Sequence, residues 1–212
     1  MNRDELQLDA TILASSNNRL LLKWATGVGK SLAFMLIQEM LKPNLTYIVV
    51  SEKPHINNWK EDYKKHKKEH LLKNVKIFCY ASLKKYSNTK VDLICLDEVH
   101  HATSDIRINI LKSIEATNII GLSATLRSEQ LKVLNELGEF FEHKINLNKA
   151  IKDNILPTPI INLIPLDFPK GLTSINFTRG NSQKRITKKC IYKDRFKYIS
   201  DKKNYINLNL EI

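Results

Sequence analysis

Several residue types are scarce in this sequence, and each scarcity narrows what the protein can be. Only three cysteines occur in 212 residues, Cys79, Cys95 and Cys190, with no metal-ligand spacing among them. An odd, unpatterned set excludes a disulfide scaffold and a cysteine-based metal module, and it fits a reducing compartment. No apolar run approaches the length of a membrane span. The opening Met1-Asn2-Arg3-Asp4-Glu5 lacks the basic-then-apolar pattern of a secretory signal. The expectation is a cytoplasmic chain with no membrane partner. Glycine is also scarce, at six residues, beside abundant Asn, Lys and Ile, a bias that an AT-rich genome also produces. No internal repeat is visible.

What remains is ordinary globular composition, 42% hydrophobic and 26% charged, long enough for one core or one core with an appendage. The charge is less ordinary. The formal net charge is +12, which favours a polyanionic partner, nucleic acid being the commonest. Residues 166–212 carry eleven Lys and Arg against four Asp and Glu, so the basic excess is densest in the last fifth.

Along the chain, short apolar runs alternate with helical patterns. Leu20–Leu22, Tyr47–Val50, Val75–Tyr80, Val91–Leu96 and Ile119–Leu122 read as strands. The helical stretches are a segment ended by Pro43, then Ile56–Lys68, Asp105–Glu115, and Glu129–Leu137 with Gly138 as its cap. The nearly continuous apolar run Val91–Leu96 is typical of a strand covered on both faces. This order predicts an α/β domain with a mainly parallel sheet, whose ligands bind at the carboxyl ends of the strands. A last strand is expected at Ile160–Leu166. The domain boundary therefore falls at residue 166, and residues 167–212 form a basic, weakly patterned segment.

The chemistry concentrates in two motifs. Ala25-Thr26-Gly27-Val28-Gly29-Lys30-Ser31 lies between an apolar strand and an amphipathic helix, the setting a phosphate cradle requires. Backbone N–H groups from Thr26 to Gly29 would point at phosphate oxygens, Lys30 would reach the β- and γ-phosphates, and Ser31 would sit on Mg²⁺. One position departs from the strict pattern: Trp24 stands where the first glycine is usual. The second motif is Asp97-Glu98-Val99-His100, after a buried run and about seventy residues beyond Gly-Lys-Ser. Asp97 would hold Mg²⁺ together with Ser31, and Glu98 would polarise the attacking water.

With Ser123-Ala124-Thr125 after a strand, these motifs make the chain resemble the first RecA-like lobe of a superfamily-two helicase, DExH/DEAD-like and of phage or viral type. The resemblance covers roughly Leu6 to Leu166 and implies a three-layer P-loop NTPase sandwich binding ATP and Mg²⁺. It implies that Ser123 and Thr125 couple the nucleotide to lobe movement, that His100 links the second motif to the third, and that Gln7 reads the adenine edge. It places the nucleic-acid path at Ser51 and Lys53, where the family's usual Pro-Thr is replaced by Ser51-Glu52, and at Tyr80 and Ser82. Lys64–Lys68 reads instead as a solvated helix face.

Such helicases use a second RecA-like lobe carrying an arginine finger, worth about 10³–10⁵ in turnover in related enzymes. Nothing after Leu166 resembles that lobe, so it is expected from a continuing chain or from a partner, and slow hydrolysis is expected without it. The leading reading is the nucleotide-binding lobe of an ATP-dependent helicase or translocase acting on DNA before RNA, including a viral protein in a host cytoplasm. The alternatives are a catalytically weak nucleic-acid-binding or regulatory module derived from such a lobe, and a P-loop ATPase acting on protein or small molecules.

Overall fold

The computed structural model describes residues 2–158, 178–179 and 182–183. Met1–Pro159 forms one unit around a six-stranded sheet in the order β3-β2-β4-β5-β1-β6. The strands are β1 (Arg19–Trp24), β2 (Thr46–Val50), β3 (Val75–Cys79), β4 (Lys90–Leu96), β5 (Glu115–Ser123) and β6 (Phe141–Ile145). Every pairing in this sheet is parallel. All carboxyl ends therefore lie along one edge, which collects the loops after β1, β2, β3, β4 and β5.

Alternation along the strands sorts the core into two clusters. Leu20, Leu22, Trp24, Ile48, Val50, Leu93 and Cys95 pack on one face with residues of α1 (Arg3–Ser16), α2 (Lys30–Leu41) and α3 (Lys53–Lys65). Leu21, Tyr47, Val49, Ile94 and Leu96 face the other way, with Leu111 of α4 (Asp105–Lys112) and Leu134 of α5 (Ser128–Leu134). The result is helix, sheet, helix, the three-layer α/β arrangement expected from the sequence. Cys79 and Cys95 are buried free thiols, small apolar side chains of the sheet.

Local chemistry explains the helices. In α1 the Asn2 side chain accepts from Glu5 N while Asn2 N donates to the Glu5 carboxylate, a reciprocal cap. Buried Leu6, Ala10 and Ala14 repeat every fourth residue on its inner face. Helix α2 ends at Leu41; Lys42 caps it in the left-handed region (φ 49°), its N–H donating to Gln38 O, and Pro43 cannot continue the helix. Helix α3 has Pro54 in its first turn and buries Trp59 and Tyr63, four apart, while its lysines face outward.

Three expectations need correction. The helix expected over Asp105–Glu115 ends at Lys112, and β5 begins at Glu115, because pairing of Glu115 and Ala116 with Lys90 and Val91 extends the strand. Strand β6 and α6 (Leu147–Lys152) were not anticipated, and β6 makes β1 an interior strand. Gly138 caps the chain after Leu137 as expected, but the last turn is 3₁₀, and its φ of 117° packs the backbone against Arg19. The strand expected at Ile160–Leu166 and Cys190 lie outside the described residues. So does the basic segment, apart from a short antiparallel ladder pairing β7 (Thr178–Arg179) with β8 (Ser182–Gln183).

Candidate functional site

The phosphate-loop segment leaves β1 at Trp24 and enters α2 at Lys30. Gly27 (φ 84°) and Gly29 (φ 103°) take left-handed conformations that side chains disfavour, so these are the positions where glycine is needed. Trp24 has no such requirement. It ends β1 in extended conformation, fully buried, with its partner Ile145 on β6. A tryptophan in place of the usual first glycine is thus absorbed by the core. Ala33 N donates to Gly29 O (3.0 Å), the first helical bond, which leaves the preceding N–H groups at the mouth of α2.

Lys30 Nζ donates to the carbonyls of Trp24 (3.0 Å) and Ala25 (3.4 Å), folding its side chain back over the loop. Burial lowers its pKa, and the charges of Glu98 and then Asp97 pull the other way. Gln7 approaches from α1, where it is buried, and a Cβ on Gly29 would stand 2.8 Å from its Nε2. Gln7 Nε2 has no hydrogen-bond partner among the described residues.

Asp97 and Glu98 follow β4 in a tight reversal. Asp97 N donates to Val49 O (2.9 Å), and the Tyr80 hydroxyl donates to Asp97 O (3.0 Å). The Asp97 carboxylate accepts from Trp59 Nε1 at Oδ2 (2.9 Å) and from Glu98 N at Oδ1 (3.0 Å). Desolvation still raises its pKa above the ordinary carboxylate value, against the pull of the Trp59 hydrogen bond. Glu98 sits at φ 45°, a strained conformation for a side-chain-bearing residue, which turns it out of the strand alternation. His100 Nδ1 lies 3.4 Å from Glu98 Oε2 but forms no hydrogen bond. The neighbouring His101 is exposed.

Strand β5 lies between β4 and β1, which puts Ser123-Ala124-Thr125 between the other two motifs. Ser123 is fully buried, and its hydroxyl accepts from Thr125 N (3.2 Å). Lys23 Nζ clamps the following carbonyl of Leu126 (2.7 Å). At the end of β2, Ser51 Oγ is 2.8 Å from His55 Nδ1, and Lys53 is exposed. Ser82 is half-buried beyond β3. Tyr80 departs from its expected place on a nucleic-acid path. It is 3% exposed and its hydroxyl is committed to Asp97, so it braces the turn instead.

Sequence reasoning missed Trp59 and the cluster behind Trp24. Trp24 Nε1 donates to His143 Nδ1 (3.1 Å), which requires the neutral tautomer with its proton on Nε2, 3.3 Å from Asp9 Oδ2. Burial lowers the His143 pKa against the pull of Asp9, and Lys149 adds to the lowering. The folded chain therefore keeps His143 neutral to lower pH than the unfolded chain does. This contribution to stability is present above the unfolded histidine value and is lost as pH falls through the lowered native one. In thermal melts at about pH 7.5 and pH 5.5, His143→Gln should lose less Tm on acidification than wild type. Equal losses would show that His143 does not set the acid limb.

Comparison with known proteins fits this geometry. Residues 73–128, which run from just before β3 to the first residue of α5, match the family "Type III restriction enzyme, res subunit". The SWI2/SNF2 ATPase core of Sulfolobus solfataricus, solved in complex with dsDNA, is 16% identical with a TM-score of 0.51, over 64% of this chain and 35% of that one. The UvsW helicase of bacteriophage T4 is 19% identical with a TM-score of 0.54, over 65% and 58%. The Hef helicase domain of Pyrococcus furiosus gives 19% and 0.50, over 66% and 37%. The chain shares the α/β RecA-like fold of these three ATPase cores. No curated protein matches the chain in sequence. The match spans between about a third and three-fifths of the length of these solved structures. Among the described residues no helix is long and apolar enough to cross a membrane.

Proposed function

We propose that this chain is the nucleotide-binding lobe of an ATP-dependent helicase or translocase acting on nucleic acid, DNA before RNA. The observation that carries this reading is topological: β1, β5 and β4 are neighbouring parallel strands, so the Gly27–Ser31 turn, Ser123-Ala124-Thr125 and Asp97-Glu98 all lie at one sheet edge. A chance Gly-Lys-Ser turn would have no reason to share a sheet edge with two carboxylates delivered by another strand.

The residues fit ATP and Mg²⁺. Gly27 and Gly29 hold the left-handed backbone a phosphate cradle uses, Gln7 carries an unpartnered buried amide nitrogen beside it, and Asp97 is a desolvated carboxylate that a cation would relieve. Thr26, Gly27, Val28 and Gly29 would offer backbone N–H groups, and the Lys30 ammonium would exchange its carbonyl partners for phosphate oxygens. Ser31 and Asp97 would hold Mg²⁺, which neutralises charge developing on the phosphates and keeps several waters of its own. Glu98 would orient a water and accept its proton. His100, Ser123 and Thr125 would relay the nucleotide state, and Ser51, Lys53 and Ser82 would line the nucleic-acid path. Turnover would depend on a second RecA-like lobe, in cis or in trans.

The test is titration of the chain with a fluorescent ATP analogue and Mg²⁺. Lys30→Ala and Asp97→Ala should each weaken binding by about ten- to a hundredfold, the scale of losing charge-assisted hydrogen bonds. Binding that survives both substitutions unchanged would sink the proposal. Binding to single-stranded DNA should weaken steeply with added salt.

A further inference from the structure

Helix α3 starts three residues after β2 ends, at Lys53, and two turns later presents Trp59 to the sheet. Trp59 is 3% exposed and donates its indole N–H to Asp97 Oδ2 at 2.9 Å, across 38 positions of sequence. Its ring is fixed from two sides. Phe34 of α2 meets it edge-on, with centroids 5.7 Å apart and planes at 90°, and Tyr63 lies against it at 6.2 Å. Tyr63 is itself held by donating its hydroxyl to buried Gln38.

The Asp97 carboxylate therefore has one fixed donor on each oxygen, Trp59 on Oδ2 and the Glu98 N–H on Oδ1. Each carboxylate oxygen can accept about twice. Two fixed donors set the plane of the group and leave one acceptor site on each oxygen. Only the backbone donor could be inferred from neighbouring sequence. The other comes from the helix that begins beside Ser51 and Lys53.

We propose that Trp59 is a positioning residue for the metal carboxylate, its indole N–H holding Asp97 in the orientation that receives Mg²⁺. This rests on the nucleotide reading above. Groups that orient a metal ligand in this way are typically worth about 10–100-fold in metal affinity. The arrangement also gives α3 a rigid connection from the expected nucleic-acid path to the metal ligand.

The experiment is a Mg²⁺ titration of the full chain at fixed fluorescent ATP analogue, for wild type, Trp59→Phe and Tyr63→Phe, with Tm and metal-free affinity measured alongside. Trp59→Phe keeps an aromatic ring between Phe34 and Tyr63 and removes only the donor. It should need about tenfold more Mg²⁺, with metal-free affinity unchanged. Tyr63→Phe loses a buried hydrogen bond on the same helix without touching Asp97, and should leave the Mg²⁺ requirement where it is. An unchanged requirement in Trp59→Phe, or an equal rise in Tyr63→Phe, would overturn the positioning role. No analogue binding by wild type would instead overturn the nucleotide reading, and this inference with it. Should Trp59→Phe fail to fold, the Trp59 indole N–H resonance of ¹⁵N-labelled protein supplies a second readout. It should move on addition of Mg²⁺ with the analogue, and in Asp97→Ala. A resonance indifferent to both overturns the proposal.

Discussion

Glu98→Gln should lower ATP turnover by about two to four orders of magnitude, the usual worth of a general base, while Mg-nucleotide binding changes by no more than a few-fold. The substitution keeps size and polarity and removes the negative charge. Glu98 is suited to acting on a water because no hydrogen bond from the protein to its carboxylate is seen among the described residues, and its side chain is 37% exposed. The neighbouring Asp97 has both oxygens engaged and is placed to hold rather than to react. Single-turnover phosphate release separates the two steps. Comparable losses in binding and turnover would reassign Glu98 to the metal. The φ of 45° at Glu98 adds a companion result. Glu98→Gly should abolish turnover as well, yet raise Tm slightly by relieving strain worth about 1–3 kcal/mol.

The largest effect on stability is expected at Phe34. It is fully buried in the cluster formed by α1, α2, α3 and the sheet, and Phe→Ala in such a core costs about 3–5 kcal/mol. For a unit of this size that corresponds to a fall in Tm of roughly 10 °C. Phe34 is also the edge-on partner of Trp59, so its removal should loosen Asp97 and raise the Mg²⁺ needed for nucleotide binding. Leu83→Ala is the control. Leu83 is equally buried but belongs to the cluster on the opposite face, and should cost about 2–5 kcal/mol without moving the Mg²⁺ requirement. Parallel changes in both variants would mean that Phe34 acts through general stability alone.

Much of the site was legible because its signals are local. A run of apolar residues, two glycines before Lys30 and two carboxylates after Leu96 are each contained within a few positions, and parallel topology brings their ends together. What stayed hidden depends on distance. Phe141–Ile145 carries Glu142, His143 and Lys144 in its middle and buries only Ile145 fully. As an edge strand, it needs no apolar alternation to pair with β1. Glu115 reads as a polar helix end and Ala116-Thr117-Asn118 carries no strand pattern, and only the ladder with β4 makes these residues strand. Trp59 sits in a lysine-rich helix, where its partner 38 residues away leaves no trace in the spacing. Tyr80 was placed on the nucleic-acid path by its neighbours in sequence, but its hydroxyl is turned inward to Asp97. The first-glycine position tolerates Trp24 because the left-handed turns come later, at Gly27 and Gly29.

The strand order also sets a timetable for synthesis. Strand β1, which leads into the phosphate loop, is made first, yet its two partners are β5 and β6, the last strands of the sheet. At translation rates of about 5–20 residues per second, β1 waits roughly 5–20 s for its first partner. Meanwhile β2, β3 and β4 can already pair among themselves. A ribosome-bound chain ending before β5 should therefore carry a three-stranded sheet and an unpaired Leu20–Leu22, a segment for a chaperone to shield. The residues of the proposed nucleotide site run from Gln7 to Thr125, so nucleotide binding by ribosome-bound chains would report the arrival of β5 beside β1.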